Sequence, residues 1–442
     1  MQDIVQKELL KNLYFSFLLA ASPEKCLDKI RPIKNAGRTL IVGIGKAAIQ
    51  YCELLQRKVP ANHDGIIIST YSEDKPPDLD KFKIFYANHP IPDENGLLAT
   101  EYLMKEVSHL TSNDLLLFLA SGGGSALLPA PPHGFKLKDE IILNQVLLRC
   151  GAPIHVLNLI RKHFSRIKGG RLAMLAHPAK VQTLVVSDIP DDDITQVASG
   201  PTLASSGTAQ DALAAIRKYD IDVPDNILSY LKTDKVDTPW PDASYFKGNN
   251  QELLASASEC MKSVTSLAGS KGIKVVVISD RSDGESKEVA KAHAKFIREY
   301  LKINSIASNE KVLFLSGGET SVTIVNPKGK GGRNTEYLLS LAIELESYNL
   351  GPYAAIAADT DGIDGTEKNA GAIVDHSTLS RIRAQNILPE ELLGKNNSYV
   401  AFEASDDLFF TGPTGTNVND FRAVIFNMSE VPVESKGEKY GS

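Results

Sequence analysis

The feature that most constrains this chain is a short apolar run followed at once by glycines or carboxylates, which recurs along most of its length. Near-continuous apolar strands are typical of parallel sheets that are covered on both faces. In such sheets, ligands bind beyond the carboxyl ends of the strands. The pattern therefore predicts an α/β fold whose function lies in the loops after the strands. The runs are Leu40–Val42, Asp114–Ala120, Thr183–Val186, Lys274–Ile278, Val312–Leu315 and Ala354–Ala358.

The length of the chain and a proline-rich stretch divide it into two parts. A chain of 442 residues exceeds what one ordinary core organises. Thr238–Asp242, which carries the only tryptophan, is typical of a connection, and we place the boundary there, between residues 240 and 241. After it we expect a short strand that ends at Lys247 and a helix over Gln251–Leu267. Strands with ligand loops occur on both sides, which predicts two α/β domains whose loops face a shared cleft.

Composition and charge exclude several classes of protein. With 43% hydrophobic and 23% charged residues, the chain is expected to be globular and soluble, and its net charge of −6 argues against a dedicated nucleic-acid binder. The apolar stretch Leu13–Ala21 is far shorter than a membrane span, and Asp3 and Glu8 argue against a signal peptide, so we expect an amphipathic first helix. The scattered cysteines favour reduced thiols in a cytoplasmic protein over disulfides or zinc. They are Cys26, Cys52, Cys150 and Cys260.

The segment Arg38–Ala48 is typical of a strand, a tight glycine turn and a helix. Gly43, Gly45 and Ala48 fit the loose dinucleotide fingerprint GxGxxA, and acids at positions 73 and 74 follow the next predicted strand, at 65–69. Lys46 is the unusual residue, because a cation on this turn suits a phosphate or carboxylate better than a ribose. The alternative is a surface lysine at the start of a helix.

A second glycine loop follows the apolar run Asp114–Ala120. It reads Ser121-Gly122-Gly123-Gly124-Ser125, and such glycines let backbone N–H groups approach a phosphate or carboxylate closely. The Walker A pattern GxxxxGK[ST] is absent from the sequence. The alternative is a tight turn under packed helices.

Basic and acidic loops supply further candidates. The basic segment 161–171 is interrupted by Gly169 and Gly170, which favours an anion-binding loop over a solvated helical face. Asp188 directly follows a buried strand, and its carboxylate suits Mg²⁺, whereas residues 191–193 can merely cap the next helix. The loop 359–365 carries three carboxylates without EF-hand spacing, so Mg²⁺ or hydroxyl recognition is preferred and turn capping is the alternative.

The segment Lys311–Tyr337 combines glycines, cations and a predicted helix start. We expect a strand, then Gly317 and Gly318, a second short strand over Ser321–Val325, and a basic glycine loop that leads into a helix near residue 334. Glycine-rich backbone beside cations at a helix N-terminus favours an anion site. The alternative is a flexible surface hairpin.

Taken together and in order, these motifs resemble the glycerate 2-kinase family, whose C-terminal domain is called MOFRL. The resemblance covers nearly the whole chain and implies a larger Rossmann-like N-terminal domain (1–240), a smaller MOFRL-type domain (241–442) and an active site in the cleft. It also implies phosphorylation of D-glycerate to 2-phosphoglycerate with ATP and Mg²⁺. The matching segments are VGIGKA (42–47), SGGGSALL (121–128), RKHFSRIKGGRLA (161–173), VVSDIPDD (185–192), SGGET (316–320), GKGGRNTEY (329–337), DTDGIDG (359–365) and GPTGTNVND (412–420).

The resemblance assigns catalytic roles to the lysine of the first turn and the arginine of the GGRN loop, which are Lys46 and Arg333 here. We add Asp188 as the residue that deprotonates the attacking hydroxyl or binds Mg²⁺, and Asp191 as a second metal ligand. We expect D-glycerate and ATP as partners, with no nucleic acid or membrane, and a homodimer if the chain assembles. The predicted substrate- and phosphate-binding residues are Gly43, Gly45, Ser121, Gly122, Gly123, Gly124, Ser125, Arg161, Lys168, Gly317, Gly318, Glu319, Asn334, Asp361, Thr414 and Asn417.

Two other functions stay open at this point. The GxGxxA turn, together with family members that carry such a label, leaves a nicotinamide-dependent hydroxypyruvate reductase as the alternative enzyme. A non-catalytic regulator that binds sugar phosphates is the alternative outside enzymology, since anion loops also serve sensing. No DNA-binding motif accompanies these loops, so the regulator ranks last.

Overall fold

The computed structural model describes residues 2–30, 32–71, 79–187, 189, 193–233, 236, 239–304 and 310–427. They group into two compact units. The first unit is Ala21–Ser256 with Gly415–Asn417. The second is Ala257–Thr414 with helix α1 (Gln2–Ala20) and strand β12 (Asp420–Asn427). The chain thus passes between units after Ser256, and the division at residues 240 and 241 stays a prediction.

The first unit is built on a six-stranded sheet in which every neighbouring pair of strands is parallel. Its strand order, β3-β2-β1-β4-β5-β6, is that of a doubly wound α/β fold, with the order reversing between β1 and β4. Every residue of β1 and β4 is buried, as the apolar runs predict. The predicted Rossmann-like fold is confirmed. The strands are β1 (Thr39–Ile44), β2 (His63–Thr70), β3 (Phe82–Ala87), β4 (Leu115–Ala120), β5 (Lys180–Val186) and β6 (Asn250–Ala255).

Short polar caps set the beginnings of several helices in this unit. The Asp93 carboxylate accepts a hydrogen bond from Gly96 N at 2.9 Å, and Thr208 and Asp211 form a reciprocal capping box. The helices are α2 (Pro23–Leu27), α3 (Ala48–Leu55), α4 (Glu94–Val107), α5 (Gly124–Leu127), α6 (Leu137–Arg149), α7 (Ile154–His163), α8 (Arg171–Ala176), α9 (Ala209–Lys218) and α10 (Asp225–Leu231).

The second unit has a mixed sheet in the order β11-β10-β9-β12-β8-β7. Only β7 and β8 run parallel, and the other neighbouring pairs are antiparallel. Strand β12, from the end of the described chain, lies between β8 and β9, so residues far apart in sequence meet at its first residue. The other strands are β7 (Ile273–Ser279), β8 (Lys311–Ser316), β9 (Tyr353–Asp359), β10 (Gly371–Asp375) and β11 (Leu408–Phe409).

The helices of the second unit cover this sheet. Helix α1 buries Leu10, Leu13 and Tyr14 fully, but its opposite side exposes apolar side chains, so the expected amphipathic division is only partial. The exposed apolar residues are Ile4, Val5, Phe15 and Leu19. No helix in the described part of the chain is long and apolar enough to cross a membrane. The remaining helices are α11 (Ala257–Ser270), α12 (Ser286–Ile303), α13 (Arg333–Tyr348), α14 (Thr378–Ala384), α15 (Pro389–Gly394) and α16 (Ser398–Ser405).

Two predictions near the boundary are wrong. The strand expected to end at Lys247 is a short 3₁₀ helix over Ser244–Phe246. The helix expected over Gln251–Leu267 is a strand, β6, followed by α11. The sequence NQELLA of β6 favours a helix, but pairing with β5 overrides this intrinsic preference.

The second short strand of the basic glycine segment is also absent. Apart from an isolated bridge between Ser321 and Glu285, residues 321–325 form an irregular loop, in which side chains bond part of the backbone. Thr323 N donates to both carboxylate oxygens of Glu285 at 3.1 Å, and Val325 N donates to Asn396 Oδ1 at 2.7 Å. These long-range partners satisfy the backbone without a sheet.

Candidate active site

The two predicted glycine loops of the first unit lie side by side. Strands β1 and β4 are parallel neighbours, and their last residues, Ile44 and Ala120, are paired. The turn Gly45–Ala47 and the loop Ser121–Ser125 therefore leave the same edge of the sheet at the point where the strand order reverses. This is the position at which doubly wound sheets bind ligands. We call these two segments the glycine-loop site.

Several atoms of the glycine-loop site join its two segments to each other. Lys46 N donates to Gly122 O at 3.0 Å, and Ser121 Oγ accepts from Ala47 N at 3.3 Å. Gly45 has a φ of 116°, and a methyl group added to it would lie 2.3 Å from Ser121 Oγ. Glycine is therefore required at position 45 by the close approach of the two segments. The Ser121 side chain has a structural task here, beyond its predicted role in binding.

Gly43 serves helix packing. It lies inside β1, and a methyl group there would lie 2.4 Å from Cys52 Sγ of α3. Its absence of a side chain lets the helix approach the strand, which is the structural part of the dinucleotide fingerprint. A direct ligand contact is therefore not the reason for glycine at this position.

Three basic side chains cluster around the triple-glycine loop. Gly123 has a φ of 87°, and a methyl group on it would lie 3.2 Å from His89 Cδ2 and 3.6 Å from Lys46 Cγ. Desolvation by the surrounding atoms lowers the pKa of His89 to about 4, and the positive charges of Lys46 and Arg161 add to the effect. The His89 ring still stays open to solvent. An anion placed here would offset the positive charges of Lys46 and Arg161.

Arg161 is held by neutral partners. Its Nε donates to Asn144 Oδ1 at 2.9 Å, and its Nη1 donates to Asn158 Oδ1 at 3.2 Å. Burial lowers the pKa of Arg161 to about 10, so the guanidinium stays charged at neutral pH. A partly buried cation whose hydrogen-bond partners are amides suits the predicted anion-binding role.

Lys168 has a different environment from the one its predicted role requires. Its side chain is buried, and Nζ donates to Leu128 O at 2.8 Å and to Glu140 Oε1 at 3.0 Å. Glu140 in turn accepts from Ala130 N at 2.9 Å. The ammonium is thus committed to a buried structural ion pair, which argues against ligand binding by Lys168.

The predicted metal ligands, Asp188 and Asp191, lie outside the described residues, as do the acids at positions 73 and 74. Strand β5, which precedes Asp188 in the sequence, pairs with β4 and ends at Val186. Among the residues that the structure describes, no three His, Cys, Asp or Glu side chains are grouped to hold a metal ion. The assignment of both aspartates stays a prediction.

Arg333, the first residue of α13, is surrounded by three carboxylates of the second unit. Its Nε lies 2.9 Å from Asp420, its Nη2 lies 2.6 Å from Asp359, and its Nη1 lies 3.0 Å from Glu319. Burial opposes the charge, but the three carboxylates outweigh it and raise the pKa of Arg333 well above its ordinary value. We call these four residues the Arg333 cluster.

Asp420 is the centre of that cluster, and it was missed in the sequence. It is fully buried at the start of β12, where its carboxylate also accepts from Asn334 Nδ2 at 2.8 Å and from Arg422 Nη2. Arg422 is itself buried and lies over the ring of Tyr337, 5.0 Å from the centroid. Asp420 therefore pairs with two guanidinium groups, that of the buried Arg422 and that of the partly buried Arg333. Its position at the end of the polar loop 412–420 was the available signal.

Asn334 retains one unused group. Its side chain is fully buried, and Oδ1 has no hydrogen-bond partner within the described part of the chain. A buried amide oxygen of this kind is costly unless a donor reaches it. This free acceptor beside the Arg333 cluster suits the predicted role of Asn334 in binding.

The acidic loop after β9 caps a helix. Asp364 accepts from Asn334 N at 2.9 Å and from Thr335 N at 2.8 Å. The carboxylate thus occupies the N-terminus of α13, where the sequence predicted an external anion. Asp361 stabilises the turn itself by accepting from Ile363 N at 3.0 Å. The capping alternative therefore holds for Asp364.

The remaining predicted residues lie in the loop that follows β8 and in the loop that precedes β12. Gly318 has a φ of 96°, and a methyl group on it would lie 2.3 Å from Ser282 N. The carbonyl of Gly317 accepts from Ser282 N at 2.9 Å. Both glycines therefore serve the close packing of two loops. Thr414 Oγ1 donates to the carbonyl of Thr360. Asn417 is nearly buried and belongs to the first unit.

Two sequence families match most of the chain. A domain of unknown function (DUF4147) matches residues 9–232, and the MOFRL family matches residues 312–420. The first match contains the glycine-loop site. The second runs from β8 to Asp420 and contains the Arg333 cluster.

Relatives of similar length carry two kinds of name. D-glycerate 2-kinase of Thermotoga maritima is 36% identical over 405 residues, which is 91% of this chain and 94% of the relative. Glycerate 2-kinase of Pyrococcus horikoshii is 32% identical over 415 residues, 91% of each chain. A protein of Agrobacterium vitis with the provisional name hydroxypyruvate reductase is 37% identical over 425 residues, 96% of this chain and 95% of the relative.

The similarity extends to a solved structure. The crystal structure of glycerate kinase from Thermotoga maritima matches with a TM-score of 0.81 at 35% sequence identity. The match covers 95% of this chain and 99% of that one. Sequence and fold therefore agree over nearly the whole length of both chains.

Proposed function

This chain belongs to the glycerate 2-kinase family, and we propose that it transfers a phosphoryl group from ATP to the 2-hydroxyl of D-glycerate, giving 2-phosphoglycerate and ADP. The observation that carries this function is the pair of glycine loops at the strand-order reversal, with three basic side chains around them, in a chain that matches glycerate kinases over nearly its full length. Both substrates are anions, and such a site attracts them.

The glycine-loop site supplies the anion-binding half of the chemistry. Phosphoryl transfer depends on positioning and on neutralising negative charge, and less on covalent chemistry by the protein. We propose that Lys46 and Arg161 bind a phosphate or the glycerate carboxylate, with backbone groups of the loop 121–125. Lys46 is the catalytic member, because it lies on the turn that leaves the centre of the sheet.

Arg333 is the second proposed catalytic cation. Its Nε and Nη2 are fixed by the buried carboxylates of Asp420 and Asp359, whereas its Nη1 pairs with Glu319, whose side chain is 54% exposed. The pair with Glu319 is the one that an incoming phosphoryl oxygen can replace at low cost, because an exposed ion pair contributes little. The buried carboxylates thus orient the guanidinium while leaving one edge for the ligand.

We propose that Asp188 and Asp191 are the residues that would hold Mg²⁺. Carboxylate oxygens are the ligands that this cation prefers, and both residues follow β5, the neighbour of β4 in the sheet. When bound, Mg²⁺ neutralises charge on the phosphates of ATP. We propose that Asp188 either ligates the metal or accepts the proton of the attacking 2-hydroxyl.

The cysteines of the described chain form no disulfide, which supports a cytoplasmic location. A homodimer stays a prediction.

The direct test is a coupled assay of ADP release with D-glycerate, ATP and Mg²⁺. We expect turnover that requires all three components. Absence of ADP release in folded protein would contradict the kinase function.

The alternative enzyme is a hydroxypyruvate reductase, which is favoured by the names of some relatives and by the GxGxxA turn. That reaction transfers a hydride and needs no ATP. Oxidation of NADH or NADPH with hydroxypyruvate, in the absence of ATP, would support it. We expect no such oxidation, because the cation of Lys46 on this turn suits a phosphate or a carboxylate better than the ribose of a dinucleotide.

A further inference from the structure

A buried turn of left-handed residues lies against the glycine-loop site. Ala198, Ser199 and Gly200 have φ angles of 51°, 58° and 57°, and the first two are residues that rarely adopt this conformation. Gly169 N donates to Ser199 O at 3.0 Å and Gly170 N to Gly200 O at 2.8 Å, which holds the turn in place. Ser199 is fully buried. Strain retained at such a turn indicates that the position of its side chain matters.

The turn contacts the triple-glycine loop at two points. A methyl group on Gly124 would lie 2.6 Å from Ala198 Cβ, so the turn can pack this closely only because residue 124 has no side chain. Ser125 Oγ lies 2.7 Å from Ser199 Oγ, and Ser199 Oγ donates to Asn158 Oδ1 at 3.1 Å. Because a hydroxyl carries a single hydrogen, Ser125 is the donor in its bond with Ser199. The direction of this chain of bonds is therefore set.

Asn158 connects the turn to Arg161. Its Oδ1 accepts a second bond from Arg161 Nη1 at 3.2 Å, and its Nδ2 donates to Gln196 O at 3.1 Å. A guanidinium only donates and a carbonyl only accepts, so these partners fix the orientation of the amide. The other amide partner of Arg161 is Asn144. Both are neutral, so they orient the guanidinium without cancelling its charge.

We propose that Asn158 and Ser199 are positioning residues that orient Arg161, and that Arg161 binds one anionic oxygen group of a substrate, a carboxylate or a phosphate, beside the loop that Ser199 anchors through Ser125. This inference rests on the proposed kinase function. An aspartate at position 158 would keep the acceptor oxygen but would pair with Arg161 and cancel its charge. The carboxylate would also lose the bond to Gln196 O, so stability is expected to fall in either case, but only an anion site would also lose affinity for an anion.

The test compares Asn158→Asp with Asn249→Asp in the full-length protein. Asn249 is a matched control, because its Oδ1 accepts from Val181 N at 2.9 Å and its Nδ2 donates to Tyr245 O at 3.0 Å, near the opposite end of β5. Binding of D-glycerate, ATP and inorganic phosphate is measured separately by titration calorimetry. Thermal unfolding reports the stability of each variant.

We expect Asn158→Asp to weaken binding by about tenfold or more, because the new carboxylate repels the anion. The affected ligand is D-glycerate if the site binds a carboxylate, and both ATP and inorganic phosphate if it binds a phosphate. The weakened ligand identifies the bound group as a carboxylate or a phosphate. Asn249→Asp is expected to leave all three affinities unchanged. Ser199→Ala should weaken binding of the same ligand as Asn158→Asp.

The inference is overturned if folded Asn158→Asp binds all three probes like the wild type, or if Asn249→Asp loses the same affinity. If Asn158→Asp does not fold, Ser199→Ala decides by the same criterion. Failure of the wild type to bind both D-glycerate and ATP would contradict the kinase function instead, and inorganic phosphate would then decide the present inference.

Discussion

Lys46 and Arg333 have different charged neighbours among the residues that the structure describes. Lys46 shares its site with the basic groups of His89 and Arg161, whereas Arg333 is bonded to three carboxylates. A cation among basic groups attracts an anion, and a cation among carboxylates is held in a fixed orientation. Binding and orientation are the two requirements of phosphoryl transfer. The resemblance of the sequence to a family identified both residues, but these surroundings depend on partners far away along the chain.

Removing either cation should slow the chemical step. We expect Lys46→Ala and Arg333→Ala each to lower kcat by about 10²–10³-fold, because each loses a group that meets charge developing in the transition state. The controls are Lys138→Ala, an exposed lysine of the first unit, and Arg383→Ala, which pairs with two partly exposed carboxylates in the second. Steady-state kinetics on folded variants measures the effect. Unchanged kcat in both catalytic variants would remove them from the mechanism.

The pKa of His89 should report anion binding. Desolvation and neighbouring positive charges lower this pKa to about 4, and a bound anion should raise it. Binding then takes up a proton, and the affinity for sulfate, whose own charge stays constant, should increase as the pH falls from 8 towards 5. Proton NMR of the imidazole in the presence of sulfate measures the shift directly.

His293 provides an internal control in the same experiment. Burial and the charge of Arg422 lower its pKa to about 4 as well, but it lies in the core of the second unit, within 2.9 Å of Tyr337 Oη. Sulfate should leave the pKa of His293 unchanged, and His89→Gln should abolish the pH dependence of sulfate affinity. An unshifted His89 at saturating sulfate would mean that the anion binds elsewhere.

Asp420 should be essential for stability. Asp420→Asn leaves the buried guanidinium group of Arg422 and the partly buried one of Arg333 without their shared carboxylate. We expect the free energy of unfolding to fall by about 3–5 kcal/mol. Glu346→Gln, which breaks an ion pair with the partly exposed Arg383, should cost at most about 1 kcal/mol. Denaturant unfolding compares the two, and equal losses would show that burial of the Asp420 pairs contributes nothing.

At the scale of the element, the glycine turn after β1 is in close contact with the loop after β4. Gly45→Ala introduces a methyl group that would lie 2.3 Å from Ser121 Oγ, at a φ of 116°. We expect a loss of about 1–3 kcal/mol in the free energy of unfolding and a lower kcat/KM, because the two loops must move apart.

Gly269→Ala is the matched control for that substitution. Gly269 lies in helix α11, and a methyl group there meets no atom within 4 Å. Since alanine favours a helix over glycine, the variant should gain about 0.5–1 kcal/mol, with unchanged kinetics. A Gly45→Ala protein as stable and active as the wild type would contradict the close approach of the two loops.

The sequence predicted the strands correctly where an apolar run is buried on both faces of a sheet. The predictions were wrong where contacts with distant parts of the chain determine the local structure. β1, β4 and β9 match their predicted runs to within a residue or two at each end. In β6, helix-favouring residues form a strand because β5 offers an unpaired edge. No local pattern could reveal that Asn396 and Glu285 bond the backbone of residues 321–325.

At the scale of the whole molecule, ordered motifs predicted the family and the α/β class, but not how the chain is shared between the two units. Helix α1 and strand β12 join the second unit, although most of that unit lies in the second half of the chain. The same limit explains the site residues. Lys168 was expected to bind a ligand, but its partner Glu140 is set by packing, and Asp420 gains its importance only beside Arg333.

The measurement that tests the central claim most directly is identification of the product. Wild-type protein is incubated with D-glycerate, ATP and Mg²⁺, and phosphorus NMR distinguishes 2-phosphoglycerate from 3-phosphoglycerate, with Lys46→Ala and Arg333→Ala run in parallel. The account predicts 2-phosphoglycerate from the wild type and little product from either variant. Formation of 3-phosphoglycerate, or of no phosphorylated product by folded wild-type protein, would contradict it.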